Sequence, residues 1–412
     1  MRILVYGING PPELSGIGKF TGEMIEHLAQ RHEVRLVTTA PHYPLWRPFE
    51  GYSNTSYSSE QVMNGSLKLL RCPVWLPSRL SGISRIGHAA SFVMSSLPVI
   101  LSQMVWRPHL VFVVAPSLTV APIGWFAGRC VGAKLWLHIQ DFEVDAAFAL
   151  GILKDARLQR VALSIESTVM RHFDRVSTIS EAMLRRLISK SVAHNQAKLF
   201  PNWVDTDFIF PLERRSEMRA SLAKDDEVVA LYAGSMGEKQ GLDVLLEAAS
   251  MLRTVPKIRF VLCGDGGSRT DLMERYRHLE NVTWLPQQPL QHLNELLNAA
   301  DLHVLPQRAD AADLVMPSKL TGMMASGRPT VASSPPHGEL SAALTGAGIV
   351  VQPGNAEAFA EAIRKLTSDP ALRRQMGTLA REHAVARMGK RSILSDFEAQ
   401  LQELVNEPAD QR

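Results

Sequence analysis

RILVYGINGPPELSGIGKFTGEMIEHLAQRHEVRLVTT, running from Arg2 to Thr39, decides the fold. Its opening RILVYGI is an apolar run, too short for a secretory signal, that reads as a buried strand. From Ile17 the period changes: Phe20, Met24 and Leu28 fall at helical spacing on one face of IGKFTGEMIEHLAQR. HEVRLVTT, from His32, is the next strand. A strand, a glycine-containing loop, a helix and a strand form the repeating unit of an α/β protein with parallel sheets.

The same alternation continues along the chain. HLVFVVAP from His109, KLWLHIQ from Lys134 and DRVSTIS from Asp174 read as strands, with helical stretches between them such as RLQRVALSIESTVMRHF from Arg157. LFPNWVDTDFIFP from Leu199 interrupts the series with Pro, Asn and Asp, as linkers between domains do. A fresh series follows: EVVALYAGS from Glu227, GLDVLLEAASMLR from Gly241, IRFVLCGDGG from Ile258, DLHVLPQ from Asp301, PTVASS from Pro329 and GIVVQPG from Gly348. NAEAFAEAIRKL from Asn355 is an amphipathic helix with an Asn cap. The 412 residues thus divide into two α/β domains, residues 1–202 and 203–389, with a last helix at about 390–406 that packs back on the first.

Composition is that of an ordinary globular protein, with 46% hydrophobic and 21% charged residues. Cys72, Cys130 and Cys263 are far apart, which excludes a disulfide framework and a zinc-finger spacing and suits a reducing cytoplasm. Ile86–Trp106 is the nearest approach to a membrane span, but Ser91, Ser95, Ser96, Pro98, Ser102 and Gln103 make it a poor one. The net charge of +3 is unevenly placed: up to Asn202 there are 21 Lys/Arg against 13 Asp/Glu, and beyond it 23 against 28. Two readings stay open, a chance asymmetry on a solvated surface or a first half that faces something anionic such as a membrane.

Four segments carry chemistry. GINGPPELSGIGKF from Gly7 is not a dinucleotide fingerprint, because it lacks the compact glycine spacing and the second strand ends Val37-Thr38-Thr39 without a carboxylate. Gly16 and Gly18 at the helix start offer unblocked N–H groups to an anion, or else merely make the turn. GSMGEKQGLDVLL from Gly234 places Ser235 and Lys239 in a loop between strand and helix, a setting for a diphosphate or for an ordinary solvated lysine. The turn at Gly264 ends the next strand. In MPSKLTGMMASGRPTVAS from Met316, Pro317 suits a first helical turn, Ser318 and Lys319 lie at its positive end, and Gly327 suits the C-cap. Two such cradles at the carboxyl ends of strands of one sheet fit a nucleoside diphosphate. Finally, LHIQDFEVD from Leu137 sets His138, Asp141, Glu143 and Asp145 just after a buried strand. His138 alone reads as a core-edge histidine, whereas Asp141 is placed to deprotonate or orient an acceptor hydroxyl. Asp205-Thr206-Asp207 mimics an acidic metal motif but lies in the linker, where it reads as turn chemistry.

Taken in order, PPELSGIGKF at Pro11, FPNWVDTDFI at Phe200, LYAGSMGEKQGLDVLLEAA at Leu231, MASGRPTVAS at Met324 and GIVVQPGNAEAFAEAI at Gly348 resemble the retaining glycosyltransferases of family 4 over nearly the whole chain. HIQDFEVDAAFALGI, GEKQGL and PSKLT are similar to the branch that serves colanic-acid and exopolysaccharide synthesis. The resemblance implies a GT-B fold, two Rossmann-like domains facing across a cleft. It implies a nucleotide-sugar donor held by Ser235, Lys239, Gly264, Pro317, Ser318 and Lys319, with Gly16 and Gly18 closing from the first domain. Asp141 is the expected acceptor contact, with His138 auxiliary and Lys319 the cation on the leaving group. The acceptor would be a glycan or a polyprenyl-diphosphate-linked sugar at the cytoplasmic face of the inner membrane. No metal, resident cofactor or nucleic acid is expected. The family's usual pair of glutamates falls on Leu314 and Gly322, its loop arginine on Ser235, and its lysine appears one place early as Lys239. Asp310 or Asp313 could substitute for the first glutamate. Those departures keep two rivals in view, a nucleotide-sugar epimerase and a non-catalytic sugar-nucleotide-binding protein.

Overall fold

The computed structural model describes the chain except residues 15, 79–81, 116–117, 143–155, 256, 309–316, 337 and 409–412. Two compact units emerge, Met1–Pro201 with Leu394–Arg412, and Asn202–Ile393. Each has its own sheet.

The first unit is built on β1 (Arg2–Gly7), β2 (Glu33–Thr39), β3 (Ser58–Val62), β4 (Leu67–Cys72), β5 (Leu110–Ala115), β6 (Lys134–Ile139), β7 (Arg175–Thr178) and β8 (Ala197–Leu199). Their order across the sheet is β3-β4-β2-β1-β5-β6-β7-β8. All neighbours are parallel except the β3–β4 hairpin. That hairpin is invisible to hydrophobic patterning because SSEQV is almost wholly exposed and polar. β5, by contrast, is buried at every residue, as a strand covered on both faces must be. The C-terminal helix Lys390–Asn406 supplies Leu394, Phe397, Leu401 and Leu404 to this unit's core. Phe397 stacks on Phe200 with centroids 3.9 Å apart and meets Phe112 and Trp136 edge-on. Glu398, buried beside them, accepts from His27 at 2.9 Å and Arg31 at 2.5 Å, and His32 Nε2 lies 3.0 Å from its other oxygen. Hydrogen bonds and charge from Arg31, then His27, hold its pKa below the usual range against the effect of burial.

The second unit holds β9 (Val228–Ala233), β10 (Ile258–Cys263), β11 (Val282–Leu285), β12 (Leu302–Leu305), β13 (Thr330–Ser333) and β14 (Gly348–Val351). The order is β11-β10-β9-β12-β13-β14, entirely parallel. Alternate residues of β9 enter separate cores: Ala230 and Tyr232 pack with Leu245, Phe359 and Ile363, while Val229 and Leu231 pack with Met324 and Ala332. Both faces are covered, which is why the strand reads as one continuous apolar run.

Three buried histidines make the fold acid-sensitive. His88 bonds the Trp75 carbonyl, His138 the Ser177 hydroxyl and His303 the Ser326 hydroxyl. Desolvation lowers their pKa values to about 4, about 3 and about 3. In the unfolded chain each protonates near 6.5, so the folded state holds fewer protons between that value and its own depressed pKa. Stability is therefore full above about pH 6.5 and falls toward pH 4, by up to ~1.4 kcal/mol per unit and per histidine. Urea midpoints measured from pH 7 down to 4.5 should decline steeply; a flat profile would contradict neutral burial of these rings.

Candidate active site

In the second sheet, β9 and β12 are neighbours whose chains leave in opposite directions, β9 toward β10 and β12 toward β13. The crevice outside the carboxyl ends at such a reversal is where open α/β sheets hold ligands. The loop after β9 runs through Gly234 to the 3-10 turn Glu238–Gln240 and the helix Leu242–Met251. The loop after β10 contains Gly264 and Gly266. The two loops are zipped backbone to backbone: Gly234 N–H donates to Cys263 O at 2.9 Å, Met236 N–H to Asp265 O at 2.8 Å, and Ser268 N–H to Met236 O at 3.0 Å. This contact needs glycine. Gly264 has φ +149°, and a Cβ there would lie 1.9 Å from the Gly234 carbonyl oxygen.

Lys319 opens the helix Lys319–Ala325 that follows β12, and its side chain crosses to the β9 loop. Its Nζ donates to Tyr232 Oη at 2.5 Å and to the Ser235 carbonyl at 3.2 Å. The ammonium also lies 4.5 Å from the Tyr232 ring centroid. A Cβ on Gly234 would be 2.3 Å from Lys319 Cε, so the loop glycine makes room for the lysine stem. Burial is what perturbs this group: desolvation lowers the Lys319 pKa to about 7. An amine half-charged near neutrality, held at a topological switch point, is poised to gain a proton when an anion arrives. Tyr232, whose own pKa burial raises, is the residue sequence reading overlooks. Nothing distinguishes it from an ordinary aromatic in an apolar strand until Lys319 is seen against it.

Of the other expected donor contacts, Ser235 is exposed and supplies the carbonyl that Lys319 uses, while Gly264 supports the loop from beneath. Lys239 lies in the turn Glu238–Gln240, with its side chain outside the described residues. Ser318 is exposed and makes no side-chain cap bond, and the Pro317 carbonyl accepts from Leu320 N–H at 3.0 Å. Gly322 is the second turn of that helix, its Cβ direction toward Leu297. Leu314, Asp310 and Asp313 lie outside the described residues.

In the first unit, Gly16 (φ +61°) begins the helix Gly16–Ala29, beside the Tyr43 ring. Gly18 lies against Glu13. A Cβ there would be 2.1 Å from Glu13 Oε2, so the space at Gly18 is already taken by the protein's own carboxylate. Glu13 is buried and accepts from His42 N–H at 3.0 Å, Tyr43 N–H at 2.9 Å and Asn9 Nδ2 at 3.0 Å. Burial raises its pKa against those bonds and the nearby Arg71. The missing Cβ at Gly18 gives Glu13 its room, and Glu13 organises the loops after β1 and β2.

His138 lies within β6. It is buried between Phe112 (5.9 Å) and Phe200 (5.0 Å), with Nδ1 2.9 Å from Ser177 Oγ. Burial keeps the ring neutral, with Nδ1 already partnered. Asp141 is exposed just beyond the carboxyl end of β6. Glu143 and Asp145 lie outside the described residues. In the linker, Asp205 Oδ1 accepts from Asp207 N–H and Phe208 N–H, both at 3.1 Å, and so closes its own turn.

Known proteins share this organisation. Residues 15–203 match the Glycosyl transferase 4-like domain, and residues 213–383 match Glycosyl transferases group 1. The chain is 37% identical to the colanic acid biosynthesis glycosyl transferase WcaI of Escherichia coli, over 96% of this chain and 98% of that one. It is 26% identical to a D-inositol 3-phosphate glycosyltransferase of Segniliparus rotundus, over 84% and 74%. Among solved structures, sucrose-phosphate synthase from Thermosynechococcus elongatus superposes with TM-score 0.77 at 18% identity over 98% of each chain. HepE of Anabaena in complex with UDP does so with TM-score 0.72 at 16% identity, over 98% and 100%. With both halves matched and a relative aligned end to end, the chain belongs to the family-4-like, group 1 glycosyltransferases of GT-B fold.

Proposed function

We propose that this glycosyltransferase moves a sugar from a nucleoside-diphosphate sugar to a glycan or polyprenyl-diphosphate-linked acceptor in bacterial exopolysaccharide synthesis, with retention and without a bound metal. The observation that carries the donor side is Lys319, a desolvated amine laid across the glycine loop at the switch point. In the reaction the anomeric C–O bond to the diphosphate breaks and a bond to the acceptor oxygen forms. Negative charge grows on the departing diphosphate. Lys319, Lys239, Ser235, Ser318 and the loop N–H groups would receive that charge, and Lys319 would be fully protonated once the diphosphate is bound. Gly264 and Pro317 would shape the cradle. Protein cations then do for the leaving group what a metal ion does in other transferases. Asp141 would orient the acceptor hydroxyl and take its proton. WcaI is named for colanic acid biosynthesis, and HepE was solved with UDP-glucose as well as with UDP. Both support the donor and pathway class. The cytoplasm is where such donors are found, and the three scattered cysteines suit it.

The test is a thermal-shift panel with UDP, GDP, dTDP, CMP and NAD. A ligand at about a hundred times its Kd stabilises the native state by roughly 2.7 kcal/mol. One nucleoside diphosphate should raise the midpoint, and its sugar should then turn over only when acceptor is added. Turnover without acceptor would mean epimerisation, and binding without turnover a sensor. Asp141→Asn should cut transfer at least tenfold while leaving the nucleotide shift intact.

A further inference from the structure

Helix Gly82–Trp106 has apolar residues on both faces: Ala89, Phe92 and Ile100 are buried, and a second apolar row faces outward. Its buried positions include the polar Ser96 and Gln103, which bond Tyr6 Oη at 2.7 Å and Arg35 Nη1 at 2.7 Å. Ser91, Ser95 and Ser102 donate to the carbonyls of His88, Pro73 and Val99. The polar residues that spoil this segment as a membrane span are thereby satisfied within the protein. What faces outward is Ile86, Met94, Leu97, Leu101 and Val105, at 61%, 70%, 40%, 44% and 87% exposure. Their spacing of three or four residues, apart from the one wider step after Ile86 that exposed Ala90 fills, makes one continuous stripe. Trp75 and Tyr57 flank it, both more than half exposed, Trp75 against Gly87 and Tyr57 donating to the Ser95 carbonyl at 2.8 Å. Stripes of this size on a soluble surface mark contact sites, and Trp and Tyr beside an apolar face suit a membrane–water boundary.

Charge selects the occupant. From Gln61 to Gln140 the sequence holds seven Lys or Arg and no Asp or Glu. Arg85 lies in the first turn of the helix, Arg107 directly follows its end, and Arg129 lies on the helix Ala121–Val131 packed beside it; all three are exposed. A second protein copy would bring the same cations against themselves, whereas an anionic leaflet offers both hydrocarbon and phosphate. We infer that the outward face of helix Gly82–Trp106 docks this enzyme on an anionic lipid bilayer. The helix lies in the interface plane with its stripe among the acyl chains and the arginines at the headgroups. It stays hydrogen-bonded to β1 and β2 and packed on β4 on its other side, and so does not span the bilayer. This deepens the acceptor side of the proposed reaction, and its test reads binding separately from turnover.

The full chain would be floated with vesicles of phosphatidylcholine alone or with about one third phosphatidylglycerol. The expected result is at least tenfold stronger binding to the anionic vesicles, weakened by salt. Met94→Asp with Leu101→Asp should lose at least tenfold more, with unchanged thermal midpoint and unchanged nucleotide shift. A triple Arg85→Glu, Arg107→Glu, Arg129→Glu variant, which leaves the stripe intact, should lose the preference for phosphatidylglycerol. Failure of the native chain to float, or flotation indifferent to both variants, would overturn the inference. So would a native dimer in light scattering that the Met94 and Leu101 changes dissolve, since the stripe would then be a subunit interface.

Discussion

Lys319→Met is expected to make the free enzyme more stable and nearly unable to hold its donor. In the native state the amine is desolvated, makes no ion pair among the described residues, and has its pKa lowered to about 7. Below that pH the folded protein carries the cost of a buried ammonium. Between about 7 and the unfolded value near 10.4 the folded state releases the proton and the unfolded state keeps it, so stability rises with pH across that window. A methionine fills much of the same space without the charge and should add roughly 1–3 kcal/mol near neutrality while flattening that rise. Donor affinity or turnover should drop about 10²–10³-fold, the usual loss when one preorganised charge partner is removed. A second signature separates charge from shape. A nucleotide-sugar diphosphate does not titrate near neutrality, so its affinity should weaken as pH rises above 7 in the native enzyme and stay level in Lys319→Arg. Urea unfolding and titration calorimetry read both halves. If Lys319→Met destabilises the protein and leaves affinity unchanged, the lysine is a structural strut and the donor site lies elsewhere.

Gly264→Ala should be the most damaging single methyl group in the second domain. Its Cβ would sit 1.9 Å from the carbonyl oxygen and 2.8 Å from the carbonyl carbon of Gly234, and φ is +149°. Both obstacles are backbone, so no side-chain rotation relieves them. Steric overlap and a strained dihedral add, and a loss above ~4 kcal/mol is expected. For a domain of this size that is a fall of roughly 8–16 °C in Tm. Gly267, three residues on, is the control: nothing lies within 4 Å of its Cβ position, and Gly267→Ala should be within about 0.5 kcal/mol of native. Equal, mild effects at the two positions would mean that the loops after β9 and β10 are not stacked as described.

Much of this protein was written locally. Buried parallel strands need apolar residues on both faces, so β5 and β9 announce themselves as unbroken apolar runs, and β1 and β10 nearly so. Glycines at strand ends flagged the loops, and Pro317-Ser318-Lys319 flagged the helix end that meets them. Edge elements escaped, because SSEQV has no buried face to leave a pattern.

What those residues do was decided by partners distant in the chain. Lys319 is unusual only because β9 brings Tyr232 and Ser235 beneath it. His138 stands near the carboxyl end of β6, where a catalytic histidine could stand, yet Phe112, Ser177 and Phe200 close around it. At Gly18 the sequence shows only a glycine, and the fold shows that Glu13 leaves no room there for a Cβ. The helix Gly82–Trp106 is the plainest case: composition made it an indifferent span, and only the positions of Tyr6, Arg35 and Pro73 determined that Ser96, Gln103 and Ser95 are satisfied within the protein while Met94, Leu97, Leu101 and Val105 face outward. The order of strands, helices and glycine loops followed from the sequence by itself, because periodicity and backbone freedom act over a few residues. Whether a side chain is a ligand contact, a core group or a docking face was left to tertiary structure, because desolvation and hydrogen-bond satisfaction depend on neighbours that only the fold supplies.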